Sequence, residues 1–294
     1  MNDFDKFKPY FAKVEAILKT FPKDCQKNYY DNKKTLKIKY SDQIDAHLKG
    51  NYNPEENVMT IYDIKATPHE LFHMAFTNKK KLNRELYAKS DMYHENGLAF
   101  KYGNVVMYKG ITEGIAEYLS RKCTDSKSKD FDYYFANLLI SIYGEEIIHF
   151  ALKNDPMGFY NYEFFYDSFE YTRNLDYLDE SITNILFVAA SKNIIDKTFD
   201  IGKDDDKKEW AEFIKSTKDI FHKSIINLFK CIINEYKNCL EPKISQQELV
   251  HLLNSFLTEE CYQIAFKLDK ENTLEQELRK IITDFSISKI TKNK

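Results

Sequence analysis

Thr67-Pro68-His69-Glu70-Leu71-Phe72-His73 is the stretch from which the rest of this chain is read. His69 and His73 are four positions apart, so on an α-helix both project from one face, one turn above the other. That spacing suits two corners of a tetrahedral zinc site with Zn–N distances of about 2.0–2.1 Å. Glu70 points roughly 100° away in helical projection. It belongs beside a metal-activated water rather than on the metal, where a general base is needed. The same seven residues carry a structural reading. Thr67 is a good N-cap, Pro68 suits the first helical position, and Glu70 falls three after Thr67, completing a capping box. Both readings require a helix that starts at Thr67.

Working outward, Thr35-Leu36-Lys37-Ile38-Lys39-Tyr40 alternates with period two, as a half-buried strand does. Residues 52–57 carry turn chemistry, and Val58-Met59-Thr60-Ile61-Tyr62 is rich in strand formers. A strand therefore runs into the loop that launches the motif helix. Phe7, Phe11, Val14, Ile17 and Leu18 mark a first helix over 5–19. Segments 98–102 and 105–108 flank Gly103-Asn104, a two-residue hairpin signal, and a helix follows over 111–122. Beyond 130 the pattern is almost wholly helical: 133–152, parts of 160–173, 179–191, 210–238, 246–257 and 274–285. Ser245 with Glu248 makes a further capping box. The charged run at 200–208 holds Gly202, the only glycine after Gly158, and marks the expected boundary between residues 1–199 and a helical lobe at 209–294. The expected fold is α+β and mainly helical, with a small sheet near the N-terminus.

Composition narrows the function classes. Hydrophobic and charged contents of 43% and 30% are those of a soluble globular protein with length enough to bury a core. A net charge of −3 leaves no basic footprint, so nucleic acid is not an expected partner. Lys79-Lys80-Lys81 reads as a solvated helix end. No apolar run reaches the roughly 18–20 residues of a membrane span, and the first twenty residues lack the apolar core of a signal peptide. The five cysteines, Cys25, Cys123, Cys231, Cys239 and Cys261, are odd in number and lack metal-ligand spacing. They read as reduced thiols of a cytoplasmic protein. A removed leader, or secretion without a signal peptide, would leave the same pattern.

Two histidines leave a catalytic zinc one protein ligand short. Gly110-Ile111-Thr112-Glu113-Gly114-Ile115-Ala116-Glu117-Tyr118-Leu119 offers it. Glu113 and Glu117 lie one turn apart on one face, with Ile111, Ile115 and Leu119 on the other side to bury it. One carboxylate can ligate zinc while the other holds a ligand histidine by its free N–H. Gly114 leaves no side chain beside Glu113, which would let this helix approach the motif helix closely. The plainer reading is a solvated face in which Glu117 pairs with Arg121.

With these phrases the chain resembles the gluzincin clan of zinc metallopeptidases, which carry His-Glu-x-x-His on one helix and a ligating Glu on a later one. Thr112-Glu113-Gly114-Ile115-Ala116-Glu117-Tyr118 looks like the Asn-Glu-Gly-Phe-Ala phrase of the aminopeptidase branch, and its Glu-x-x-Ala-Glu spacing is similar to the lethal-factor branch. The closer likeness is to uncharacterised Gram-positive peptidases with a HELFH…NEG layout. The resemblance covers about 60 residues, from 58 to 122. It implies zinc ligands His69, His73 and Glu113, general base Glu70, Glu117 hydrogen-bonded to a ligand histidine, one Zn2+ per chain, a zincin-type active-site helix, and a peptide or protein substrate. The gap between His73 and Glu113 exceeds that of the thermolysin and aminopeptidase branches, and the Gly-x-Met-Glu-Asn phrase of aminopeptidases is absent, which favours an endopeptidase or a narrow-specificity enzyme. His94, Tyr102, Tyr108 and Tyr118 are candidates to stabilise the oxyanion, because they lie between or beside the ligand segments. The rival reading is a non-catalytic zincin-fold binding protein with a structural zinc, against which an intact Glu70 argues.

Two further patterns stand apart. Glu146-x-x-His149 and Glu248-x-x-His251 fall on expected helices and would fit half of a di-iron carboxylate site, but no matching pair of core-facing glutamates accompanies them. The aromatic stretch 159–171 reads as helix packing rather than a substrate cleft.

Overall fold

A hairpin and one parallel partner make the first sheet. β2 (Gly50–Asn53) runs antiparallel to β3 (Val58–Ile61), and β1 (Lys37–Tyr40) joins the other edge of β3 in parallel, giving the order β1-β3-β2. The computed structural model describes residues 3–41, 49–124, 131–162, 171, 173–178, 204–258 and 273–288. Over these residues the fold is α+β and mainly helical, with two small three-stranded sheets. The second sheet is the meander β4 (Met92–His94), β5 (Phe100–Tyr102) and β6 (Val105–Met107). Gly103, at φ +58°, turns β5 into β6, the left-handed conformation that such a turn asks of its residues.

The helices around these sheets are α1 (Asp3–Leu18), α2 (Lys23–Lys33), α3 (Thr67–Phe76), α4 (Lys109–Arg121), α5 (Phe131–Tyr143), α6 (Glu146–Lys153) and α7 (Pro156–Tyr160). α3 is the centre of the arrangement. Every residue of it except His69 is buried, and it packs on α1, α2, α4, α6 and β2. A helix buried all round has no water to satisfy its last carbonyls. Asn32 of α2 does so instead, its Nδ2 donating to Met74 O at 2.9 Å and Thr77 O at 2.7 Å. Asn57, left-handed at φ 55°, donates in turn to Asn32 O at 2.8 Å and accepts from the Tyr52 hydroxyl at 2.8 Å. Two buried amides thus tie the β2–β3 turn to the far end of the motif helix.

Several elements depart from the sequence reading. β2 was not expected, because Gly-Asn-Tyr-Asn is poor strand material; pairing with β3 makes it a strand. α2 and β4 also went unread. The run 133–152 is two helices rather than one. Gly144, at φ +89°, ends α5, and α6 leaves at 118° to it, as a left-handed glycine after a helix allows. Tyr108 is not the last strand residue of the hairpin but the left-handed residue, φ 61°, that caps α4.

The chain divides into two compact units, one of residues 1–166 with 241–243, the other of 167–240 with 244–294. The division falls well before the charged run at 200–208, whose Asp204–Lys208 portion lies in the helix Asp204–Asn238. That unit also contains Gln246–Phe256, begun by the full Ser245–Glu248 capping box, and Thr273–Ile287. The expected helix at 179–191 and most of the aromatic stretch 159–171 lie outside the described residues. No single described helix is long and apolar enough to cross a membrane. Cys25, Cys123, Cys231 and Cys239 are buried.

Candidate metal centre

α3 begins differently from the expected capping box. A 3-10 turn, Ile64–Ala66, capped by the Asp63 carboxylate, feeds directly into it, and Ala66 is its N-cap. Thr67 is already helical, and its hydroxyl donates back to Ile64 O at 2.6 Å. Glu70 therefore does not serve as a capping residue. Its carboxylate instead lies beside the Tyr52 backbone, which favours the charged form, and against Gly50, where an added Cβ would come within 2.9 Å of its Cγ and Oε1. Burial raises the carboxyl above its ordinary range, against the pull of His69 and His73.

From α3, His69 and His73 meet Glu113 of α4. His73 Nε2 lies 2.9 Å from His69 Nε2 and 3.0 Å from Glu113 Oε2, and His69 Nε2 lies 3.3 Å from the same oxygen. A tetrahedral zinc with bonds of about 2.0–2.1 Å has donor–donor edges of about 3.3–3.4 Å. The three donors already stand near that spacing and fit such an ion. His73 is buried, whereas the side chains of His69 and Glu113 keep 21% and 36% of their exposure. The cluster is thus open on one side, and it is the one such group of donors among the described residues.

Glu117 completes the arrangement. Its Oε2 lies 3.3 Å from His69 Nδ1, and its Oε1 accepts from Arg121 Nε at 3.3 Å. A carboxylate only accepts, so His69 carries a proton on Nδ1, which leaves Nε2 as the nitrogen a metal would take. The Arg121 guanidinium lies over the Tyr133 ring at 3.3 Å, which holds it in place. Burial would depress His69, but its hydrogen bonds to Glu113 and Glu117 raise it well above the usual histidine range. Burial would raise Glu113, yet the two imidazoles beside its carboxylate, His73 foremost, hold it well below the usual carboxylate range. Glu117 is lowered in the same way by His69 and Arg121.

Gly114 plays a different part from the one expected. A Cβ there would sit 2.2 Å from Asp132 O and 2.7 Å from Ala136 Cβ. The glycine admits α5, not α3. Ile111, Ile115 and Leu119 are fully buried, so the apolar stripe of α4 turns Glu113 and Glu117 toward α3.

The four oxyanion candidates are scattered. Tyr108 is buried, edge-on to Phe100 and Phe159. Tyr102 is 53% exposed on β5. Tyr118 stacks on Tyr133 with Lys122 over its ring. His94, on β4, is lowered by burial and by Lys81, and faces Asp155. The Glu-x-x-His pairs serve locally: His149 packs edge-on against Phe21, and Glu248 caps its helix. One residue at the cluster had no sequence signal. Asn96, in the loop before β5, places Nδ2 3.1 Å from His73 Nδ1.

No family model, no curated protein and no solved structure matches this chain.

Proposed function

We propose that the chain is a zinc-dependent peptidase of the gluzincin kind, with His69, His73 and Glu113 as metal ligands and Glu70 as general base. The observation that carries this reading is the convergence of three donor atoms from two helices within 3.3 Å of one another, with Glu70 buried alongside and relieved of any capping role. When bound, zinc supplies Lewis acidity, lowering the pKa of water and polarising a carbonyl. Glu70 takes a proton from water and returns it to the departing amine, its carboxylate seated against Gly50 and beside the Tyr52 backbone. Glu117, braced by Arg121, keeps the His69 proton on Nδ1. The open side favours catalysis over a structural zinc, since structural sites are closed by four protein ligands.

Metal analysis of the purified protein tests the reading. About one zinc per chain is expected, lost on replacing His69 or His73 with Ala, together with chelator-sensitive cleavage of a peptide library. Absence of zinc after purification without chelator overturns it. Zinc without cleavage would instead favour the binding-protein reading.

A further inference from the structure

His73 answers two demands with its two nitrogens. Nε2 faces Glu113 Oε2 at 3.0 Å and His69 Nε2 at 2.9 Å, while Nδ1 faces Asn96 Nδ2 at 3.1 Å. In this arrangement the Asn96 N–H donates to the Nδ1 lone pair, and the His73 proton sits on Nε2, where Glu113 accepts it. A metal ligand at Nε2 needs that lone pair, so the ring proton must then be on Nδ1. An amide N–H facing an Nδ1–H would set donor against donor. A carboxamide escapes this by a half-turn about its Cβ–Cγ bond, which exchanges nitrogen and oxygen within one footprint. Oδ1 of Asn96 is buried and has no hydrogen-bond partner, so the turn breaks no bond that the oxygen makes.

The backbone around Asn96 is pinned on both sides, which leaves the side chain as the part able to move. Asn154 Nδ2 donates to Glu95 O and to Gly97 O, both at 2.8 Å. Gly97 N donates to Phe76 O at 3.3 Å, and Leu98 N donates to Thr112 Oγ1 at 3.2 Å. Gly97 is left-handed at φ +63°, and a Cβ there would come within 2.7 Å of Thr112 Cγ2. Thr112 adjoins Glu113, so one brace sets both the third ligand's helix and Asn96 against α3.

We infer that Asn96, with zinc on the site, turns its carboxamide over and accepts the Nδ1–H of His73 through Oδ1, setting the His73 tautomer as Glu117 sets that of His69. This rests on the zinc reading above. Asn96 is a positioning residue, acting through His73. Zinc titrations of the parent, Asn96→Asp and Asn96→Leu test it. Aspartate accepts but never donates, and leucine keeps the volume without either. Asn96→Asp should hold zinc at least as tightly as the parent, and Asn96→Leu should bind about 10–100-fold more weakly. In nitrogen-15 spectra of the zinc-loaded parent, His73 Nδ1 should be the protonated nitrogen. If Asn96→Asp loses as much affinity as Asn96→Leu, the amide acts as a donor and the inference fails. It also fails if Asn96→Leu binds like the parent, or if chelator-treated Asn96→Leu is unfolded while Asn96→Asp gains nothing over it. A parent that binds no zinc overturns the site itself, whereas a zinc-binding parent with indifferent Asn96 variants overturns this inference alone.

Discussion

Glu117 uses its two oxygens in two directions, one toward His69 and one toward Arg121. The part-buried Arg121 ion pair and the histidine contact, rivals on a helical wheel, are therefore one chain of contacts. Spacing alone left Glu113 and Glu117 equivalent as ligands; only the distances separate them, since Glu113 reaches both Nε2 atoms and Glu117 reaches Nδ1. Glu113→Ala should therefore leave the protein nearly metal-free at micromolar zinc, while Glu117→Ala retains zinc with affinity reduced about 10–100-fold. Isothermal titration of the two variants checks this, and the reverse order would exchange their roles. Glu70→Gln should keep zinc and lose peptide cleavage, because the amide fills the same space between Gly50 and Tyr52 without accepting a proton. Equal cleavage by parent and variant would remove Glu70 from the chemistry.

At the scale of elements, β2 does the work that a capping box would have denied to Glu70. Its register against β3 places Gly50 and the Tyr52 backbone on the carboxylate. In Gly50→Ala the new methyl group meets the flexible end of Glu70 rather than backbone, so folding should suffer little. Moving the base by about 1 Å costs rates up to about 100-fold, and cleavage should fall while zinc stoichiometry stays at the parent value. Gly114→Ala makes the opposite division. Its methyl group would strike the α5 backbone at Asp132 O, and such overpacking costs about 1–3 kcal/mol. A lowered urea midpoint with an unchanged slope would check it; an unaltered midpoint would mean that α5 moves aside freely.

At the scale of the whole molecule, every proposed ligand and Glu70 belong to the unit of residues 1–166. A metal that binds only the folded form stabilises that form by about 2.7 kcal/mol at one hundred times its dissociation constant. Zinc should therefore slow amide hydrogen exchange in α3 and α4 far more than in the helix Gln246–Phe256 of the other unit, and His69→Ala should abolish the difference. Uniform slowing across both units would contradict this assignment.

The residues by themselves determined the α3 and α4 periodicities, the strands at β1 and β3, the Gly103-Asn104 hairpin and the candidate ligands, because each is a local pattern whose meaning lies within a turn or two of chain. The tertiary structure alone decided what those patterns meet. It made a strand of Gly50–Asn53 by pairing it with β3, turned Gly114 toward α5, removed Thr67 and Glu70 from a cap by running a 3-10 turn into the helix, and brought Asn96 to His73 across 23 residues. Each of these depends on a partner distant in sequence, and a side chain's local propensity carries no information about which distant partner packing will bring to it.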